Sequence, residues 1–194
     1  LEVEYETHYS KFLMPTIRGS DIGSKKRYAG LIGDKQNYEM IFKGLEAVRS
    51  DWSPLAKDFQ QELYRRIFLG ESYEDFILDT VQQVKTGEAD EKLVFRKRLR
   101  RKLTEYQKNV PPHVKAARLA ETERAKRGLN AASDFGGWIE YLMTVNGAEP
   151  KQYRQSRIDY QFYIDKQLAP IADAILSFQS KSLSGIIDQQ LSLF

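Results

Sequence analysis

The 194-residue sequence has no cysteine and only two histidines, His8 and His113, far apart along the chain. The missing thiols exclude a disulfide framework and a thiolate zinc site, and they fit a reducing compartment. Two distant imidazoles make a His-based metal centre a poor reading. No apolar run approaches the roughly 20 residues that cross a bilayer, and no stretch reads as a signal peptide. The chain opens without a methionine, at Leu1-Glu2-Val3-Glu4-Tyr5-Glu6, already in strand alternation. That reads as a piece cut from something longer. What is present suffices for a core, because 41% of residues are apolar and 12% aromatic. The length suits one large domain, or one domain and part of another.

The net charge of +3 conceals an asymmetry. Between Lys92 and Arg127 stand 13 Lys or Arg against three acids, Glu105, Glu121 and Glu123, a local net of +10 that leaves −7 elsewhere. Its centre is Arg96-Lys97-Arg98-Leu99-Arg100-Arg101-Lys102, six cations in seven positions. Such a block is the electrostatic footprint of a polyanion. Phe95, Tyr106 and His113 flank it, which favours nucleic acid over a merely solvated loop.

A second basic stretch, Lys25-Lys26-Arg27-Tyr28-Ala29-Gly30-Leu31, runs three cations into an aromatic and an apolar run. If the whole stretch is a strand, Lys26 and Tyr28 share one face and Arg27, Ala29 and Leu31 the other. Gly30 would let another chain segment come close. A phosphate or base-edge partner and a charged edge that discourages aggregation are both open at this point.

Residues 1–50 read as a small antiparallel sheet, with a turn at Gly33-Asp34 and a strand over 37–43. From about 51 the chain reads as mainly helical. Ser53-Pro54 starts a helix that Gly70 stops, with Leu55, Phe59, Leu63 and Ile67 at helical spacing. Ser72 and Asp75 read as a capping box for a second helix ending before Gly87. A third helix opens at Pro111-Pro112 and ends near Gly128. Trp138–Thr144 reads as a strand closed by Asn146-Gly147. A last long helix starts near Ser156 and is kinked by Pro170. The fold class is therefore α+β.

Three further groupings carry chemistry or nothing. Glu2, Glu4 and Glu6 fall on one strand face, either beside a divalent metal at a phosphoryl-transfer site or simply facing solvent. Tyr106 to His113 joins an aromatic, a rigid turn and an imidazole, or is an ordinary helix start. Gln190-Leu191-Ser192-Leu193-Phe194 could insert apolar anchors into a partner's pocket or fold back on its own helix.

Taken in order, Lys25-Lys26-Arg27-Tyr28-Ala29-Gly30-Leu31, Lys43-Gly44-Leu45-Glu46-Ala47-Val48-Arg49-Ser50-Asp51-Trp52, Pro111-Pro112-His113-Val114-Lys115-Ala116-Ala117, Gly137-Trp138-Ile139-Glu140-Tyr141 and Asp159-Tyr160 with Gln167-Leu168-Ala169-Pro170 resemble the palm-to-thumb region of family B DNA polymerases. The resemblance covers essentially the whole chain. It implies the end of a palm over 1–50, a thumb over 51–189 and a sliding-clamp peptide over 190–194. It further implies that Lys26 reaches the minor groove of a primer–template duplex, with Lys25, Arg27 and Tyr28 beside it. Lys43 and Arg49 would hold primer phosphates or the palm–thumb junction. Arg96, Lys97, Arg98, Arg100, Arg101, Tyr106 and His113 would line the thumb's grip on DNA. Glu6 matches a carboxylate close to the family's metal site, with Glu4 nearby, neither an essential ligand.

The family's Tyr-Gly-Asp-Thr-Asp-Ser motif, which carries one of two aspartates that hold two Mg²⁺ ions, does not occur in these residues. The resemblance thus implies a polymerase whose Mg²⁺ chemistry lies outside this chain, in a cytoplasmic, nucleoid-associated enzyme of replication or repair. Gln190, Leu191, Leu193 and Phe194 resemble the peptide by which bacterial polymerases dock on the β sliding clamp. A stand-alone DNA-binding module and a clamp-docking piece are the other readings.

Overall fold

The computed structural model describes residues 7–17, 22–130 and 137–191, with side chains through Gln189. Glu2, Glu4 and Glu6 lie outside the described residues. The first sheet comprises β1 (Lys11–Leu13), β2 (Tyr28–Gly33) and β3 (Tyr38–Lys43), antiparallel in the order β1-β2-β3. Gly33 turns the β2–β3 hairpin with φ of 92°. The Asp34 carboxylate holds the turn by accepting the backbone N–H of Gln36 at 2.8 Å and of Asn37 at 3.0 Å. The strand expected from Lys25 begins only at Tyr28. Lys25 and Lys26 occupy a turn closed by the Arg27 N–H donating to the Ser24 carbonyl at 3.4 Å. Strand alternation therefore does not place Lys26 beside Tyr28.

Helix α1 (Pro54–Leu69) has the ends its sequence specifies. The Ser53 hydroxyl accepts the Ala56 N–H, and Gly70 closes the helix in the left-handed region at φ 70°. Leu55, Phe59 and Leu63 are buried, with Tyr64 beside them. Helix α2 (Glu74–Thr86) stops at Gly87 as expected, but the capping box does not form. Its first flanking residue is Tyr73, and the Ser72 carbonyl instead accepts a 2.7 Å bond from Arg66. That bond ties Ser72 to the end of α1 and leaves the first turn of α2 to start later.

A second sheet follows: β4 (Phe95–Arg98), β5 (Trp138–Thr144) and β6 (Gly147–Pro150), antiparallel with β5 central. Helix α3 (Pro112–Lys126) lies against β5 and β6. The last helix begins at Tyr160, capped by the Asp159 carboxylate accepting the Phe162 N–H at 2.9 Å, rather than near Ser156. It runs as α4 (Tyr160–Tyr163), a π-helical turn (Ile164–Leu168) and α5 (Ala169–Leu176). The irregularity lies just ahead of Pro170, whose ring cannot follow an ordinary α turn without meeting the carbonyl four residues back. The chain widens there, and the Ala169 N–H reaches the Ile164 carbonyl. Helix α6 (Leu183–Leu191) then packs on α2 and α5. The backbone of Gln190 and Leu191 is its final turn, while Leu193 and Phe194 lie outside the described residues.

One apolar core joins these parts. Ala29 and Leu31 from the first sheet and Leu45 just beyond it meet Leu63 and Tyr64 of α1, Val84 of α2, Phe95, Tyr141, Tyr163 and Leu168. Phe95, expected beside the nucleic-acid site, is instead stacked between Tyr141 and Tyr163 at 5.2 and 5.8 Å. Leu99, Leu103, Val114 and Ala117 form a smaller cluster beneath the basic run.

Candidate nucleic-acid interface

Strand β4 sets the geometry of the basic block. Along it Phe95 and Leu99 are buried, while Arg96, Arg98 and Arg100 are exposed. That is the period-two alternation of a half-buried strand, with arginine on its wet face. The sequence alone hides this strand, because Arg96-Lys97-Arg98 has no apolar partner within it. Pairing with β5 supplies the order, Arg96 opposite Glu140 and Arg98 opposite Trp138.

The result is an open cleft of about 740 Å³, lined by Arg96 to Arg101 together with Tyr106, His113, Trp138 and Ser50. Every thumb residue picked out from the sequence lies on this one surface. Two that were not, Trp138 and Ser50, complete it. Trp138 is 57% exposed and carries the Arg96 guanidinium 4.7 Å from its ring centre. Its signal was available, since a large aromatic opens a strand straight after Gly136-Gly137, where a core residue has no need to be.

Two further contacts order the cleft. Arg101 lies 5.2 Å from the Tyr106 ring, and Tyr106 meets His113 edge-on at 6.4 Å. Burial, and secondarily the Lys97 ammonium, hold the His113 imidazole below its usual titration range. Several cations elsewhere are matched. Arg65 and Arg66 share Glu62, Lys92 meets Asp58, Lys151 meets Glu91 and Lys181 meets Glu74. Among the described residues, Arg96, Arg100 and Arg101 form no salt bridge, and Lys97 acts on Asp51 only at a distance. The cleft thus concentrates positive charge beside aromatic rings, an arrangement suited to phosphates and sugar–base edges.

The first basic stretch forms a separate surface. Lys25 and Lys26 are exposed on their turn, and Lys43 is exposed opposite Tyr28 in the β2–β3 register. Tyr28 packs against Tyr9 and Phe12 at 6.1 and 4.9 Å. Gly30 makes room for that cluster, because a Cβ there would lie 2.3 Å from the Tyr9 ring. Arg27 is turned inward to an ion pair with Glu46, and Arg49 makes a two-pronged pair with Asp51 at 2.6 and 3.0 Å. Neither guanidinium is presented as freely as the neighbouring lysines.

Among the described residues no group of three or more His, Asp or Glu could hold a metal ion. They do not fit the Mg²⁺ site that the family resemblance implies.

The model of DNA polymerase family B matches residues 1–187. The chain is 54% identical over all of its 194 residues to DNA polymerase II of Escherichia coli, of which it covers 25%. It is 32% identical over 167 residues to DNA polymerase 2 of Aeropyrum pernix, covering 80% of this chain and 19% of that one. The solved family B DNA polymerase of Pyrobaculum calidifontis superposes with a TM-score of 0.62 at 25% identity, over 86% of this chain and 21% of its own. The chain therefore spans a quarter or less of the length of these relatives. It belongs to DNA polymerase family B.

Proposed function

We propose that this chain is the duplex-gripping, palm-end and thumb portion of a DNA-directed DNA polymerase of the polymerase II type. The observation that carries this reading is the Arg96–Arg101 cleft, which gathers five cations on one open surface beside the Trp138 and Tyr106 rings. Residues 1–50 supply the palm end and 51–189 the thumb. Arg96, Lys97, Arg98, Arg100 and Arg101 neutralise backbone phosphates, which fixes register without reading sequence. Tyr106, His113 and Trp138 wall the path.

Lys26 enters the minor groove near the primer terminus, with Lys25 on the same turn and the Tyr28–Lys43 pair of the adjoining hairpin supporting it. The minor groove offers acceptors at every base pair, so a lysine there senses pairing geometry rather than sequence. Arg27 and Arg49 contribute through the ion pairs that shape the junction. The Mg²⁺-dependent nucleotidyl transfer belongs to parts of the polymerase beyond this chain, and the chain alone binds DNA without extending it. The tail residues Gln190, Leu191, Leu193 and Phe194 dock on the bacterial β sliding clamp, which raises processivity by tethering. Such an enzyme works on the nucleoid in the cytoplasm.

The test is a titration of the chain into a fluorescent primer–template duplex at several salt concentrations. Binding that weakens steeply with salt is expected. No binding at low salt overturns the reading.

A further inference from the structure

The two cationic surfaces are joined by one short segment, residues 44–51, whose buried part, Leu45 to Ala47, carries polar contacts. Gly44 sits in the left-handed region at φ 63°, and a Cβ there would lie 2.5 Å from the Lys26 carbonyl. The turn bearing Lys25 and Lys26 therefore rests directly on Gly44. One residue along the turn, Arg27 reaches Glu46, itself buried. The other Glu46 oxygen accepts 2.7 Å from the Gln60 amide, and the Gln60 carbonyl oxygen accepts the Ala47 N–H at 2.8 Å. Gln60 is 1% exposed in the middle of α1. The segment then continues through the Arg49–Asp51 pair, with Ser50 lining the arginine cleft.

A buried charge with a full set of partners holds one geometry, because any other arrangement leaves it uncompensated at high cost. Glu46 is such a charge, and its two partners lie on opposite sides of the junction. One is on the lysine turn and the other on the first helix of the following part. We propose that Glu46 and Gln60 are positioning residues that lock the Lys25–Lys26 turn to α1. The turn lysines and the cleft arginines then engage one duplex as a rigid set. This rests on the DNA-gripping reading above. It adds that the affinity of the two surfaces is coupled, through a network that itself never touches DNA.

The network keeps its role only if it acts through the lysine turn. A double-mutant cycle in the full chain separates that from general stability. Glu46→Gln keeps the shape and the bond to Gln60 while removing the charge that holds Arg27. Primer–template affinity is measured by anisotropy for Glu46→Gln, Lys26→Ala and the pair, with circular dichroism confirming the fold of each. Glu46→Gln is expected to weaken duplex binding about fivefold, and to weaken it no further once Lys26 is alanine. Independent, additive losses overturn the positioning role, as does unchanged affinity in Glu46→Gln while Lys26→Ala weakens binding. Unchanged affinity in Lys26→Ala, with Arg100→Ala also silent, overturns the DNA-gripping reading and the positioning role with it. Where Glu46→Gln fails to fold, Arg27→Lys serves in the same cycle. It retains the charge but not the planar fork that reaches Glu46, and the same non-additivity is expected.

Discussion

Arg96 stacks its guanidinium on the Trp138 indole, 4.7 Å from the ring centre, across the ladder between β4 and β5. Arg96 pairs directly with Glu140, so Trp138 is its diagonal neighbour on the same sheet face, within reach of a long side chain. The stack fixes the guanidinium on the cleft wall. Trp138→Ala should release Arg96 into many rotamers and weaken duplex binding by about 0.5–1 kcal/mol, the range of an exposed cation–π contact. Trp138→Phe should retain part of that. Anisotropy with primer–template measures both, and equal losses in the two variants would contradict the stacking role.

His113 gives the cleft a pH dependence whose sign follows from its surroundings. Burial and Lys97 hold its folded-state titration below the usual imidazole value. As pH falls through that usual value, the unfolded chain takes up the proton first, so this group's contribution to stability declines in acid. A phosphate in the cleft reverses the local balance and favours the protonated ring. Duplex affinity should therefore rise as pH drops from about 7.5 to 6, over which an imidazole changes charge. His113→Gln should flatten that rise. Titrations at fixed ionic strength check it, and an undiminished rise in the variant would remove His113 from the interface.

Tyr64 illustrates a different balance. Its ring is fully buried, yet its hydroxyl has no hydrogen-bond partner among the described residues. Burial, and then the nearby Glu46 carboxylate, push the phenol well above its usual titration range. An unpaired buried hydroxyl costs about 1–3 kcal/mol of desolvation. Tyr64→Phe keeps the packing with Phe42 and Phe68 and removes that cost. Thermal unfolding should show a midpoint no lower than that of the parent chain, and higher by a few degrees if most of the cost is recovered. A clear fall in the midpoint would mean that the hydroxyl is bonded in solution.

How far the sequence discloses this architecture differs from element to element. Helix α1 is legible at both ends, because Ser53, Pro54 and Gly70 are local signals that act within one turn. The start of α2 is not, since Arg66 of the preceding helix claims the Ser72 carbonyl. Strand β4 is invisible to periodicity, because its order comes from β5, some 40 residues later. The cleft itself was half legible. Charge density marked Arg96 to Arg101, but the contribution of Trp138 depends on strand register. For Arg27, alternation puts it on the face of Ala29 and Leu31, away from Lys26, but its partner Glu46 lies 19 residues on and no local signal marks the pair.

The tail makes a separable claim. Deleting residues 190–194 should abolish capture by the β sliding clamp and leave duplex affinity unchanged, because tethering adds effective concentration without altering the DNA contacts. Surface plasmon resonance on immobilised clamp checks the first part and anisotropy the second. Clamp capture that survives the deletion would contradict the docking role of Gln190, Leu191, Leu193 and Phe194.

The central claim is that the arginine cleft holds duplex phosphates, and counterion release tests it most directly. Each phosphate neutralised adds about −0.9 to the slope of log affinity against log salt. The measurement compares the parent chain with the double variant Lys97→Gln/Arg100→Gln. Lys85→Gln, a change on the exposed face of α2 outside the cleft lining, serves as control. The account predicts a slope shallower by about 2 in the double variant, one phosphate per lost cation, and an unchanged slope in the control. Parallel slopes in all three would contradict it.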